Sequence, residues 1–333
     1  MLRTRFTELT GCRVPIQQAP IGGGLARPPL AAAVADAGAL GMVAATSLTP
    51  QQVTERLEDV RARTSGVFGA NFLADKAFYA DIEALHDPVE AAARHARVVE
   101  FFYRDPDPSL VSLVHKGGAL AFWQIGSKKE AVAAADSGCD FIVAQGIEAG
   151  GHIRGKIGLL SLLSQVLDSV DVPVIAAGGI GTGRAMAAAL AAGASGVRIG
   201  TRLIAAEEAN AHPVYVNALI QAEPEDTVVT EAFSEGWPNA PHRVLRSSLE
   251  AAMRFKGEIV AQRRLPTGEM EPIRRFESVT ATNQMTGNVE AMPHWAGESV
   301  GHVKESMPAA AIIREIADEA ETLLGKWTLS SGR

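Results

Sequence analysis

The sequence predicts an α/β protein built as a (β/α)8 (TIM) barrel, with a smaller, mostly helical insertion after the eighth strand. Three observations carry this. An alanine-rich helical stretch that ends at a glycine and runs into a β-rich segment recurs along the first two thirds of the chain. Eight such strand candidates can be counted. Their alternation stops near Leu203, where a proline-rich stretch begins. Alternation by itself is also compatible with a doubly wound open sheet; the count of eight favours the barrel.

The repeated unit is clearest at Ala35-Asp36-Ala37-Gly38 before Leu40-Gly41-Met42-Val43, at Ala135-Asp136-Ser137-Gly138 before Asp140-Phe141-Ile142-Val143, and at Ala191-Ala192-Gly193 before Gly196-Val197-Arg198-Ile199. A glycine just past a helix end accepts the left-handed conformation that closes the last turn, and a short apolar run after it suits a strand covered on both faces. Strands are expected to start near Val14, Leu40, Gly66, Val98, Ala119, Asp140, Val172 and Gly196. Helices are expected over Pro28–Ala37, Pro50–Ala62, Asp75–His86, Pro106–Lys116, Lys128–Ser137, Leu159–Ser169 and Arg184–Ala192. The barrel would comprise 1–212 and 308–333. The insertion, 213–307, carries Pro224, Pro238, Pro241, Pro266, Pro272 and Pro293, with helical pieces such as His242–Phe255. From Pro308 to Leu324, Ile312, Ile313, Ile316, Ala317, Ala320, Leu323 and Leu324 share one helical face, as in a helix docked on the barrel wall.

Composition sets the class. The chain has 333 residues, a net charge of −7, and 47% hydrophobic with 21% charged residues. That is long enough for a large core and too apolar for global disorder. The acidic balance argues against nonspecific nucleic-acid binding. Cys12 and Cys139 make no disulfide framework and have no nearby histidine, so no metal-ligand spacing stands out. Met1–Thr10 has no apolar leader, and no apolar run reaches membrane-spanning length. A cytoplasmic protein is expected, with no membrane partner and with oligomerisation left open.

Glycine is in excess, 32 residues or about 10% against a usual ~7%. Many fall after strands, on the face where barrels of this kind do their chemistry. They occur in Ala19-Pro20-Ile21-Gly22-Gly23-Gly24, Gln145-Gly146-Ile147-Glu148-Ala149-Gly150-Gly151-His152, Ala176-Ala177-Gly178-Gly179-Ile180 and Gly200-Thr201-Arg202. Glycines on adjacent strand ends let backbone N–H groups approach an anion, and the ends of strands seven and eight are a usual phosphate position. His152 titrates near neutrality and is presented by a glycine-rich loop, so it can act as acid or base. Glu148 is either a second carboxylate near the site or, the preferred reading, a residue that holds that loop by hydrogen bonds. His86, His95 and His115 lie in helical regions and receive no role.

These stretches, with Pro15-Ile16-Gln17-Gln18-Ala19-Pro20, Gly69-Ala70-Asn71-Phe72, Asp226-Thr227-Val228 and Ala296-Gly297-Glu298-Ser299-Val300, resemble the nitronate monooxygenase family, formerly called 2-nitropropane dioxygenases. FMN-dependent enoyl-acyl-carrier-protein reductases share the Glu-Ala-Gly-Gly-His and Ala-Ala-Gly-Gly-Ile motifs. The resemblance implies non-covalent FMN. Its phosphate would sit on Gly178, Gly179, Gly200 and Thr201, beside Ala177, and its ring along Ala19, Ile21 and Gly22. Asn71 and Gln145 would make polar contacts, and Gln124 is a further candidate for a ring or ribitol contact. Gly150 and Gly151 would let the loop approach the flavin. His152 matches the family's catalytic histidine. The implied reaction is oxidation of an alkyl nitronate or nitroalkane by molecular oxygen, with His152 as base or nitronate-orienting group. The alternative is an NAD(P)H-dependent FMN reductase acting on an enoyl thioester or quinone, although no Gly-x-Gly-x-x-Gly fingerprint is present. A non-catalytic flavin carrier is the third class, disfavoured because a carrier needs no titratable group at His152. Ile21 stands where the family commonly has methionine. Pro238–Arg243 is bulkier than the compact turn expected there. Arg154 would either attract an anionic substrate or face solvent, and His302 is a further substrate-contact candidate.

Overall fold

Eight parallel strands close into a barrel in the computed structural model, which describes residues 2–265 and 267–330. The strands are β1 (Ile16–Gln18), β2 (Gly41–Ala44), β3 (Phe68–Leu73), β4 (Val98–Phe102), β5 (Leu120–Ile125), β6 (Phe141–Gln145), β7 (Val174–Ala177) and β8 (Gly196–Ile199). Each pairs in parallel with its neighbour in the order β1-β8-β7-β6-β5-β4-β3-β2. The ring is completed where the Gln18 N–H donates to Leu40 O and the Leu40 N–H to Ile16 O, both at 2.9 Å. The open-sheet alternative is thereby excluded. Met1, Pro266 and residues 331–333 of the expected 308–333 segment lie outside the described residues.

Strand alternation sorts the side chains. Val99, Phe101, Ala121, Trp123, Ile142, Ala144, Val174, Ala176, Val197 and Ile199 point outward into the core shared with the helices. Met42, Val98, Phe122, Phe141, Val143 and Ile175 form a second apolar cluster with Phe6. Phe6 belongs to a short helix, Arg5–Thr10, and meets the Phe141 ring edge-on at 5.8 Å. Each fully buried side chain of this size contributes about 1.5–3 kcal/mol relative to exposure. The next positions on the same strand faces are polar: Asn71, Glu100, Gln124, Gln145 and Arg198. The sequence thus supplies an apolar layer followed by a polar one, and the polar layer underlies the site.

Six of the seven expected interstrand helices appear within two residues of their expected starts: Pro28–Asp36, Pro50–Arg63, Pro108–Lys116, Lys128–Asp136, Leu159–Leu167 and Gly183–Ala191. The helix expected over Asp75–His86 instead runs from His86 to His95. Pro88 looks like a breaker but lies in the first turn, where its missing N–H has no helical partner to lose. The helix-stopping glycines behave as expected. Gly38, Gly138 and Gly193 have φ of +93°, +86° and +106°, and the following N–H groups reach back to Val34, Ala134 and Ala189.

The C-terminal helix, Ala309–Ser330, buries Ile312, Ile313, Ile316 and Ala320 against the barrel helices. It crosses Gly183 closely: a Cβ there would come within 2.5 Å of Ile316 O. The segment 213–307 contains helices Pro213–Gln221 and Arg246–Arg254, and it adds two small antiparallel sheets to the helical content expected. In the first, Thr227–Thr230 pairs with His242–Leu245, which pairs in turn with Gly151–His152. The expected helix His242–Phe255 therefore begins as a strand, because both edges of its first four residues are taken by partners. In the second sheet, Ile259–Arg264 lies between Met270–Arg274 and Met285–Gly287. Among the described residues, no helix is long and apolar enough to cross a membrane.

Candidate active site

One cavity of about 480 Å3 opens at the carboxyl ends of the strands, between the barrel and the segment 213–307. All fourteen residues singled out from the sequence line it: Ala19, Ile21, Gly22, Asn71, Gln124, Gln145, Gly150, Gly151, His152, Ala177, Gly178, Gly179, Gly200 and Thr201.

Its floor is a buried polar network. Glu100 on β4 is fully buried and forms an ion pair with Arg198 on β8. Gln17 and Asn71 donate to the two Glu100 carboxylate oxygens at 2.8 and 3.0 Å. Arg198 also donates to Gln17 Oε1 at 3.0 Å and to Gln124 Oε1. Burial pulls the Arg198 pKa down and Glu100 beside it pulls it back up. The sequence signal was a lone charge inside each of two apolar strands, Val98–Phe102 and Gly196–Ile199, which composition counts do not isolate.

His152 sits on the cavity wall. Its backbone is held twice, by pairing with His242 across the antiparallel strands and by Gln145, whose Nε2 donates to His152 O at 3.0 Å. Its ring stacks on Trp237 with centroids 3.9 Å apart and tilts against Trp295 at 5.2 Å. Nε2 is shielded and finds no partner among the described residues, as is also true of Gln145 Oε1. Burial, and secondarily His242, push the imidazole pKa down from 6.5 to about 3, so the ring is neutral at ordinary pH. His242 is held by a contact of its Nδ1 with Ala240 O at 2.9 Å.

The glycines at the ends of β7 and β8 form a cradle. Gly178 and Gly179 have φ of +113° and +67°, and a Cβ on Gly178 would lie 3.1 Å from Gly146 O. Among the described residues, none accepts a hydrogen bond from the amide of Gly179, Ile180, Gly200 or Thr201. Four unpartnered N–H groups around one rim fit an anion such as a phosphate monoester. Gln145 lines the same cavity, and its partnerless buried Oε1 fits a ring N–H. The residues present therefore suit a flavin mononucleotide.

A family model for nitronate monooxygenase matches residues 3–319. The chain belongs to the nitronate monooxygenase family. It is a flavin-dependent oxidoreductase. It is 28% identical over 364 aligned positions to a probable nitronate monooxygenase of Staphylococcus aureus, with 97% of this chain and 98% of that one covered. It is 34% identical over 258 residues to the (3aS,4S,5R,7aS)-5-hydroxy-7a-methyl-1-oxo-octahydro-1H-indene-4-carboxyl-CoA dehydrogenase of Rhodococcus jostii, covering 78% and 70%. Among solved structures it is similar to FabK from Thermotoga maritima, with a TM-score of 0.78, 29% identity and coverage of 98% and 99%.

Within this nitronate monooxygenase family member, Glu148 holds its loop as expected, and Arg154 and His302 stay clear of the cavity. Glu148 accepts from the Leu159 N–H at 2.8 Å and so ties the loop to the start of helix Leu159–Leu167. Arg154 is engaged by Asp105 and Glu130 at 3.0 and 2.8 Å and does not line the cavity. His302 is exposed and away from it. At Gly150 the close approach is to the segment 213–307: a Cβ would meet Gly297 N at 2.4 Å. Gly151 needs its φ of +70° and has open space around it. Trp237, Trp295 and Arg56 line the cavity and had no sequence signal beyond residue type.

Proposed function

We propose that the protein is an FMN-dependent nitronate monooxygenase that oxidises alkyl nitronates with molecular oxygen. The observation that carries the reading is a neutral His152 in the wall of the cavity, beside the proposed flavin position. FMN bound there would supply the oxidation of the nitronate and the reduction of oxygen. The amides of Gly179, Ile180, Gly200 and Thr201 would hold its phosphate, Ala19, Ile21 and Gly22 would lie along its ring, and Gln145, Asn71 and Gln124 would offer polar contacts.

His152 is the substrate-facing group. A base whose conjugate acid has a pKa of about 3 is too weak to deprotonate a neutral nitroalkane efficiently. A neutral imidazole still carries one ring N–H, which would donate a hydrogen bond to a nitronate oxygen. Of the two roles expected for His152, orienting the anion therefore fits better than removing a proton. Trp237 and Trp295 flank the ring and keep water from competing for it.

A second reading, an NAD(P)H-dependent reductase acting on a thioester or quinone, is favoured by the cationic Arg56 in the cavity wall and by the carboxyl-CoA dehydrogenase among the relatives. The deciding experiment mixes the yellow, purified protein anaerobically with an alkyl nitronate and separately with NADH. Reduction by the nitronate, with oxygen uptake on re-aeration, is expected. Rapid bleaching by NADH with no response to nitronate would replace the first reading with the second.

A further inference from the structure

Arg243 is buried in the strand His242–Leu245, and nothing in the proposed chemistry uses it. Its backbone pairs with Gly151, one residue before His152. Its side chain turns back to the other end of the same loop. Nε and Nη2 both donate to Ile147 O, at 3.1 and 2.9 Å. Among the described residues, no other donor reaches that carbonyl. Nη1 donates to Thr227 Oγ1 at 2.9 Å, and Nη2 pairs with Glu298 at 3.1 Å. One residue of the segment 213–307 thus grips the stretch 147–151 at both ends.

The loop needs such a grip. Gly146, Gly150 and Gly151 give its backbone little conformational preference of its own, so its shape is imposed from outside. A planar guanidinium presents several donors at fixed angles, so it can serve Ile147 O, Thr227 Oγ1 and Glu298 together; an ammonium cannot fork in this way. Burial lowers the Arg243 pKa, and Glu298 and then Glu148 oppose this. Removing the guanidinium strands no buried charge, because the Glu298 side chain is 41% exposed. The Thr227 hydroxyl keeps its own acceptor, Pro224 O, at 2.9 Å. What is lost is the anchor of the loop that presents the imidazole.

We propose that Arg243 is a positioning residue for the reaction: by clasping the loop at Ile147 and Gly151 it sets where the His152 imidazole stands in the cavity. This deepens the functional reading and rests on His152 being the substrate-facing group. Arg243 acts on the substrate only through His152, since it does not line the cavity. A displacement of about 1 Å in a group that orients a reacting partner is enough to cost up to 100-fold in rate. A residue that acts only through the imidazole loses its effect when the imidazole is gone, whereas a residue that merely stabilises the fold does not.

A double-mutant cycle on the full-length protein tests this, with Arg243→Met and His152→Asn singly and together, read as kcat/KM for an alkyl nitronate. Arg243→Met should lose about tenfold or more with His152 present and less than about twofold in the His152→Asn background. Arg243→Lys should restore part of the loss, because it keeps a charge opposite Glu298 and one donor for Ile147 O. If Arg243→Met does not fold, the same cycle is run on Arg243→Lys. Hydrogen exchange gives a readout free of turnover: the stretch 146–153 should exchange faster in Arg243→Met while the helix Ala309–Ser330 keeps its wild-type rate. Equal losses with and without the imidazole, or wild-type exchange across 146–153, would overturn the proposal and leave Arg243 an ordinary structural ion pair. A wild-type flavin reduced by NADH and not by nitronate would replace the nitronate reading alone, and the cycle would then be read on NADH oxidation. A wild type reduced by neither would remove the functional reading, and the exchange of 146–153 would decide whether Arg243 holds the loop.

Discussion

His152 and His242 face each other directly across an antiparallel strand pair, with ring centroids 5.2 Å apart. One histidine belongs to the loop after β6 and the other to the segment 213–307. Tyr103, Trp237 and Trp295 complete the wall around His152, and burial outweighs His242 in keeping it neutral. His242→Phe should therefore raise the His152 pKa from about 3 while leaving it below 6.5. An NMR titration of the His152 ring, or the acidic limb of the pH–rate profile, reads this. An unmoved limb would mean that His242 has no electrostatic hold on its neighbour.

Removing the imidazole separates chemistry from cofactor retention. His152→Asn should lower kcat/KM for the nitronate by about 100-fold, typical of losing one well-placed hydrogen-bond donor. Flavin affinity should stay near the wild-type value, because the proposed phosphate contacts lie on the β7 and β8 loops. Equal losses of flavin and turnover would reassign His152 to the cofactor.

Glu100 and Arg198 make a different prediction. Glu100→Ala leaves a buried guanidinium without its counter-charge and should cost about 3–5 kcal/mol in denaturant unfolding. The double variant Glu100→Met with Arg198→Met should be less destabilised than the single one, since it leaves no unpaired charge. If the two variants are equally unstable, packing outweighs charge at the cavity floor.

Buried histidines set the acid limit of the fold. His152 and His294 are pushed down by burial from 6.5 to about 3 and about 4. Their unfolded forms take up protons first as the pH falls below 6.5, so folding stability drops with falling pH through that range. Each contributes up to about 1.4 kcal/mol per pH unit. Thermal unfolding should show a steep decline in Tm between pH 6.5 and 4, shallower in the His152→Asn protein.

The barrel was legible in the sequence because its rules are local. Glycine stops such as Gly138 and buried runs such as Phe141–Gln145 repeat every few dozen residues. The helix His86–His95 was displaced in the expectation because Pro88 is tolerated only for its place in the first turn, which a residue-type reading does not reveal. His152 and the strand-end glycines were found because a loop of that composition is unusual in itself. Trp237, His242 and Trp295 were not, because they reach His152 only through the fold: the strand His242–Leu245 pairs with Gly151–His152 from some 90 positions away. Glu100 and Arg198 likewise make sense only once β4 and β8 share a barrel interior.

The seam between Gly151–His152 and His242–Arg243 has a further consequence. The loop that carries the histidine is also pinned where Glu298 donates its N–H to Glu148 O at 2.9 Å, and the adjacent Gly297 fastens the same segment to the end of β8 by donating to Thr201 Oγ1 at 3.0 Å. A cover fastened at the His152 loop itself cannot swing away as a hinged lid without dismantling that wall of the cavity. Traffic into the cavity must then pass beside the cover, and a barrel stripped of residues 213–307 would lose the strand that holds its own histidine in register.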